Sequence, residues 1–299
     1  SRKTMADWII RCAELFKPLY DQLHQHLLQQ PVIQADETTL KVVDADKSTS
    51  YMWLYATGAD SPAGKIPDTA IPNIVLYDYH NSRAGQCAVN FLAGYNGYLQ
   101  VDGYVGYEQT QATLVGCWAH ARRKFMEAKK GVGSKGSGKA DWALNHIQKL
   151  YRIETQIKDS SAEQRYTTRQ EKCLPLLNQL HTWLNKSAQQ VLPKTKLGEA
   201  IQYCLNQWHK LERYTLDGQL NIDNNRAERA IKPFVIGRKN WLFSQSATGA
   251  NASAILYSII ETAKANDLNV FEYVMKSLEM LSQPEADIEL LLPWLFAKD

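Results

Sequence analysis

Apolar residues recur at helical spacing at the start of the chain, at Trp8, Cys12, Leu15, Phe16, Leu19, Leu23 and Leu27. This periodicity predicts a helix over Met5–Gln29, kinked at Pro18 and ended by Pro31. The period then changes. Val32–Asp44 is rich in β-branched residues and has the length of a strand, and Tyr51–Thr57 and Asn73–Tyr79 repeat the signal around a Gly- and Pro-bearing loop, Gly58–Pro72. Three successive strands with such connections predict an antiparallel meander. Ser82–Gly94 reads as a helix with Ser82 as N-cap and Ala88, Phe91 and Leu92 on its apolar face. Tyr98–Asp102, stopped by Gly103, and Ala112–Trp118 read as a fourth and a fifth strand, and Ala119–Lys130 returns to helix.

Gly131–Lys139, GVGSKGSGK, has the composition of a flexible linker. From Trp142 to about Thr215 the period is helical throughout and no strand signal occurs. Ser253–Ala265, Phe271–Leu281 and Asp287–Ala297 close the chain as helices, the last interrupted by Pro293. The order β-β-β-α-β-(α)-β-α predicts an α/β fold, a ribonuclease-H-like mixed five-stranded sheet flanked by helices, with an all-helical insertion and a helical C-terminal extension. The corresponding division is an N-terminal arm (1–30), a first catalytic part (31–130), the insertion (131–215) and a second catalytic part with the closing helices (216–299).

The densest chemistry lies in Asn221–Phe243, NIDNNRAERAIKPFVIGRKNWLF. Asn225-Arg226-Ala227-Glu228 has capping-box spacing, so a helix is expected to start there and to stop or kink soon after at Pro233. An acid set among Arg226, Arg229, Lys232, Arg238 and Lys239 suits a place where phosphates meet a metal ion, although Glu228 could simply close the box above a solvated basic face. Asp36 lies inside a strand-like run, where an ionised carboxylate is unusual unless paired or metal-bound. Asp102 ends a strand just before a glycine, at the rim where ligands collect on open sheets. If strands one and four are neighbours, these two acids face each other and can hold two metal ions, with Glu228 as the third ligand. The competing readings are an exposed edge-strand acid for Asp36 and a turn cap for Asp102. Glu37 points to the opposite face from Asp36. Glu261 rivals Glu228 but lacks surrounding cations.

His120, followed by Arg122, Arg123 and Lys124, suits phosphate contact better than a zinc site, because Cys117 and His120 lack a second ligand pair. Gly133–Ala140 nearly matches a phosphate-binding loop. Ala140 replaces the metal-binding hydroxyl and a helix precedes it where a strand is required, so it reads as linker. Trp118 and Trp241 are expected in the core rather than as stacking platforms.

Composition changes this picture little. At 299 residues, with 44% hydrophobic and 22% charged content, the chain can bury a full core. A net charge of +3 argues for no partner by itself; only the clustering of the cations does. No apolar run approaches a membrane span and no secretory signal is present, and five scattered cysteines fit reduced thiols, so a cytoplasmic location is expected. Opening on Ser1 rather than Met suggests a fragment or processed product of a longer chain.

Asp36-Glu37-Thr38, Leu99–Tyr107 (LQVDGYVGY), Gly116–Phe125 (GCWAHARRKF), Asp223–Arg229 (DNNRAER), Arg238–Phe243 (RKNWLF) and Glu261–Lys264 (ETAK) together resemble the transposases of insertion-sequence family 66. The resemblance implies a DDE transposase with its triad on Asp36, Asp102 and Glu228 and a helical insertion before the Glu. It implies Mg2+, or Mn2+, with two ions held, and DNA as partner through element ends and target. It also implies a homodimer or larger assembly on DNA, with accessory proteins of the same element as further candidates. The resemblance further implies that the family's upstream coiled-coil, DNA-binding and cysteine-rich parts are absent here. A nuclease of the same fold without strand transfer, and a catalytically idle DNA-binding or assembly protein, remain the alternatives.

Overall fold

The structure, a computed structural model, describes residues 1–47, 49–58, 71–130 and 138–296. Its five strands are β1 (Val32–Leu40), β2 (Ser50–Ala56), β3 (Val75–His80), β4 (Tyr98–Gln100) and β5 (Thr113–Val115). They form one mixed sheet in the order β3-β2-β1-β4-β5, flanked by helices. The expected meander is present, since β1–β2 and β2–β3 both pair antiparallel. Contacts divide the chain into two units. The first comprises Ser1–Leu99, Val105–Ala112 and Asn225–Asp299, and the second Gln100–Tyr104 and Thr113–Asn224.

In the first unit, the long helix α1 (Arg2–Leu28) buries Phe16, Leu19, Leu23 and Leu27 and runs unbroken through Pro18. A short helix α2 (Gly85–Phe91) stacks Phe91 on Tyr55 of β2, ring centroids 3.9 Å apart. The last three helices are α8 (Asn225–Trp241), α9 (Ala247–Ala265) and α10 (Val270–Leu281). Helix α8 sets Ala227, Ala230, Ile231 and Phe234 against Leu40, Met52, Leu54 and Tyr77 of the sheet. The expected stop at Pro233 does not occur: α8 runs on for two further turns, with Ile231 and Phe234 buried on either side of the proline. A second correction concerns Asp287–Ala297, where only a short 3-10 turn, Ile288–Leu291, forms within the described residues.

Strand β3 ends the sheet, and an unpaired edge of this kind invites association with other chains. Helix α9 closes it with side chains. Ser258 Oγ accepts the Tyr77 N–H at 2.8 Å, and Thr262 Oγ1 accepts the Val75 N–H at 3.0 Å while donating to the Val75 carbonyl at 2.9 Å. Asn266 donates to the Asn73 carbonyl at 2.8 Å, and Asn73 returns a bond to the Ala265 carbonyl at 2.8 Å. The match is geometric. Four helical residues rise about 6 Å and two strand residues about 6.6 Å, so steps of four on α9 meet steps of two on β3.

The second unit is helical apart from its strand segments. It contains α3 (Trp118–Lys130), α4 (Gly138–Gln156), α5 (Ala162–Thr168), α6 (Leu174–Ala188) and α7 (Lys196–Leu211), with one π-helical turn at Arg169–Cys173. Gly138 and Lys139, expected in the linker, open α4 instead; residues 131–137 lie outside the described residues, as do residues 59–70 of the expected Gly58–Pro72 loop. Gly116 leaves room where the chain passes α7: its N–H donates to the Lys210 carbonyl at 2.9 Å, and a Cβ there would press on the Leu211 backbone at 3.1 Å. Arg169, fully buried, saturates its guanidinium on Glu154 and on the carbonyls of Tyr214, Asp217 and Leu220 at 2.7–2.9 Å. No described helix is long and apolar enough to cross a membrane.

Candidate active site

In the first unit, the strand register places Asp36 opposite Leu54, and Leu54 opposite Tyr77. Directly paired residues share a face, so Asp36 lies on the side of the sheet that α8 covers. Helix α8 begins at Asn225, one residue before the expected start, a normal offset for a helix end. Glu228 therefore stands in its first turn, where a carboxylate is favoured by the helix dipole. Asp36 and Glu228, far apart in sequence, are thus carried by packed elements on one side of the sheet. Both are half-buried, and Asp36 Oδ1 accepts the Glu37 N–H at 2.9 Å.

The neighbouring acid is committed elsewhere. Glu37 faces the opposite side, its side chain only 3% exposed. It accepts from Arg83 Nε at 2.9 Å and from the Tyr107 hydroxyl at 2.6 Å. Burial, and then the Glu37 charge, push the Tyr107 phenol well above its ordinary pKa, so Tyr107 stays a donor. Glu261, the rival third acid, pairs with Lys264 at 2.7 Å on α9.

Asp102 belongs to the second unit, just after β4, where its Oδ1 accepts the Tyr104 N–H at 2.8 Å. The intervening Gly103 faces the Tyr203 ring, which a Cβ would meet at 2.9 Å. On α3, Arg122, Arg123 and Lys124 are exposed and His120 is half-buried; Lys124 Nζ lies 5.8 Å from the Tyr203 ring centroid. Burial pushes the Cys117 thiol up to about 12, against the opposing effect of the Asn224 and His120 backbone amides. Asp223 accepts from the Tyr151 hydroxyl at 2.9 Å. Trp118 is a core residue whose indole N–H donates to the Leu211 carbonyl at 2.9 Å.

The remaining basic residues divide by exposure. Arg229, Lys232 and Lys239 are exposed, whereas Arg226 is buried. Arg238 is half-buried and donates to the hydroxyls of Thr38 and Thr39, both at 3.0 Å, and to the Thr39 carbonyl. As metal donors, Asp36 and Glu228 are hard carboxylate oxygens with partial solvent access, a set that suits Mg2+ or Mn2+ better than a thiophilic ion.

Residues 1–252 match the family model described as "Transposase IS66 family", and residues 258–294 match the "IS66 C-terminal element". The chain belongs to the IS66 transposase family. It is similar to three proteins of Sinorhizobium fredii (strain NBRC 101917 / NGR234). The "Uncharacterized protein y4qI" is 33% identical over 100% of this chain and 57% of that protein. The "Uncharacterized protein y4hP" is 33% identical over 98% of this chain and 56% of that protein, and "Uncharacterized protein y4jD" 33% over 100% and 60%. The chain therefore spans little more than half the length of these curated relatives. No solved structure matches it.

One part of the IS66 chain's surface was not legible as a site in its sequence. Thr39, Lys41, Thr49, Arg238, Lys239 and Leu242 line an open cleft of about 350 Å3 in the first unit. Arg238 and Lys239 stand out in the sequence by their clustering. Thr39, Lys41 and Thr49 do not, because they meet them only in the fold, where Arg238 bonds Thr39 and Lys41–Asp44 pairs with Ser244 and Gln245.

Proposed function

We propose that this chain is the catalytic region of a DDE-type transposase with a ribonuclease-H-like core, and that Asp36, Asp102 and Glu228 are its acidic residues. The observation that carries this reading is the delivery of Asp36 by β1 and Glu228 by α8 to one side of the sheet. Strand order β3-β2-β1-β4-β5 and family membership support it. Mg2+ or Mn2+, two ions when bound, would supply Lewis-acid activation of the attacking oxygen and stabilisation of the leaving oxygen. The three carboxylates are the donors that would hold such ions. Asp36 and Asp102 each have one oxygen fixed by a backbone amide, which limits how far the carboxylate can turn. The exposed cations of α3, with Arg229, Lys232 and Lys239, hold phosphates of the DNA through contacts that carry no sequence information. The reaction is hydrolysis of a phosphodiester at an element end, followed by attack of the freed 3′-hydroxyl on target DNA.

An assay with the element's own end DNA, intact and pre-cleaved, together with target DNA tests this. The transposase reading expects a joined product, lost in Asp36→Asn, Asp102→Asn and Glu228→Gln and reduced less by Glu261→Gln. Cleavage without joining would identify a nuclease, and a mobility shift alone an idle binder. Loss of joining in Glu261→Gln but not in Glu228→Gln would move the third acid to α9.

A further inference from the structure

Helix α8 ends in an unusual way. Leu242 follows its last residue with φ 65°, the left-handed conformation that helix ends usually give to glycine. A γ-branched side chain is strained there, and such strain persists only where the surroundings hold it in place. Here they do. Ser244 N–H donates to the Lys41 carbonyl at 2.9 Å, Val43 N–H to the Ser244 carbonyl at 3.0 Å, and Asp44 N–H to the Gln245 carbonyl at 3.0 Å. On the helix side, Trp241 packs edge-on against Phe234 with centroids 5.4 Å apart. The strained turn thus has a rigid base, and its side chains point outward: Leu242 is 64% exposed and Phe243 44%. Neither the core nor the helix cap requires an apolar pair at that point. Leu242 also borders the cleft lined by Thr39, Lys41, Thr49, Arg238 and Lys239.

Exposed apolar tips flanked by cations are the means by which proteins unstack base steps: the cations hold the phosphates while the tip enters between bases. We propose that Leu242 and Phe243 form a wedge that unstacks a base step of duplex DNA whose backbone lies in the Thr39–Lys41–Lys239 cleft. The inference rests on the reading of this chain as a DNA-acting protein and adds to it a deformation of the DNA. The cleft's charge, with three cations among its lining residues, selects a polyanion as occupant rather than a second copy of the chain.

The test uses short duplexes carrying 2-aminopurine at successive positions, with binding followed separately by anisotropy across a salt series. Wild-type protein should raise 2-aminopurine fluorescence severalfold at one or a few positions. The Leu242→Gly, Phe243→Ser variant should bind with an unchanged salt slope and lose that rise. Glycine is the residue preferred at the Leu242 φ and Phe243 is exposed, so the Leu242→Gly, Phe243→Ser variant should keep its melting temperature, and that measurement separates a lost wedge from a folding defect. Lys41→Ala with Lys239→Ala should flatten the salt slope by roughly two units, one for each phosphate no longer neutralised, while the rise survives at saturation. Binding without a rise at any position, or a rise that the wedge variant retains, overturns the wedge and leaves the DNA-acting reading intact. Self-association abolished by the wedge variant, with no unstacking, also overturns it. No binding to any duplex at low salt overturns both.

Discussion

The two units face the same problem and solve it in opposite ways. Each contains buried backbone groups that no strand or helix ladder satisfies. The first unit distributes the task along α9 and its C-cap, where Ser258 and Thr262 bond successive steps of the β3 edge and Asn266 bonds Asn73 just before it. The second concentrates it on Arg169, which holds the carbonyls of the irregular return Tyr214–Leu220 and the carboxylate of Glu154. Regular geometry allows repetition, because a straight edge presents its groups at a constant interval. An irregular return presents its carbonyls in several directions, and only a planar group with five donors reaches them together. The lesson is one of failure modes. A distributed arrangement gives way one link at a time, and a concentrated one fails as a unit.

Arg169→Ala should therefore have the largest effect. It removes the donor of the Tyr214 and Asp217 carbonyls and leaves Glu154, 10% exposed, with the longer Arg165 contact at 3.8 Å, and a loss of about 3–5 kcal/mol is expected by urea denaturation. A loss below about 1 kcal/mol would show that Arg165, which also donates to the Leu220 carbonyl, carries the return instead. Arg169→Met combined with Glu154→Leu should cost less than Arg169→Ala alone, because the Glu154 charge leaves together with that of Arg169, yet not reach wild type, because the Tyr214 and Asp217 carbonyls lose their Arg169 donor and Arg165, 18% exposed, loses its Glu154 contact. In the first unit, Thr262→Val should cost about 1–3 kcal/mol, since both the N–H and the carbonyl of Val75 lose their partner. Hydrogen exchange should then accelerate at Val75 while protection at Tyr77, held by Ser258, persists; simultaneous loss at both would mean that the edge is cooperative after all. Tyr20→Phe, which removes one bond to the Tyr77 carbonyl, should be the mildest, at about 0.5–1.5 kcal/mol.

Elements with a clean period were legible in the sequence. The first three strands and α3 begin within two residues of their expected starts, the strands because burial on both faces makes them short β-branched and aromatic runs, and α3 because one buried face gives a helical period. What the sequence concealed depends on distant partners. Arg169 sits among polar residues of a helical stretch and reads as a surface cation; its burial follows from Glu154 and from a chain return some 45 residues later. In α9 the polar positions Ser258 and Thr262, and Asn266 just beyond it, would be assigned to solvent, yet all three are buried because the edge of β3 accepts them. Pro233 reads as a stop or a kink, and the helix that runs on through it has Ile231 and Phe234 packed against the sheet on either side. For the candidate site, Asp36 in a strand and Glu228 at a helix start were visible as residue types in context. The commitment of Glu37 to Arg83 and Tyr107, which removes it from the candidates, was visible only as an alternation of faces.

The fit between α9 and β3 also limits how this region can change length over descent. A single-residue insertion between Ser258 and Asn266 would rotate the helix by about 100° and carry the residues beyond it away from the strand. A single insertion between Asn73 and Tyr77 would turn the outward N–H groups toward β2 and exchange the two faces of the strand. Length is tolerated only in coupled amounts, roughly a helical turn matched by a strand pleat pair. Relatives are therefore expected to keep α9 and β3 at constant length and to confine their insertions and deletions to the connections around them.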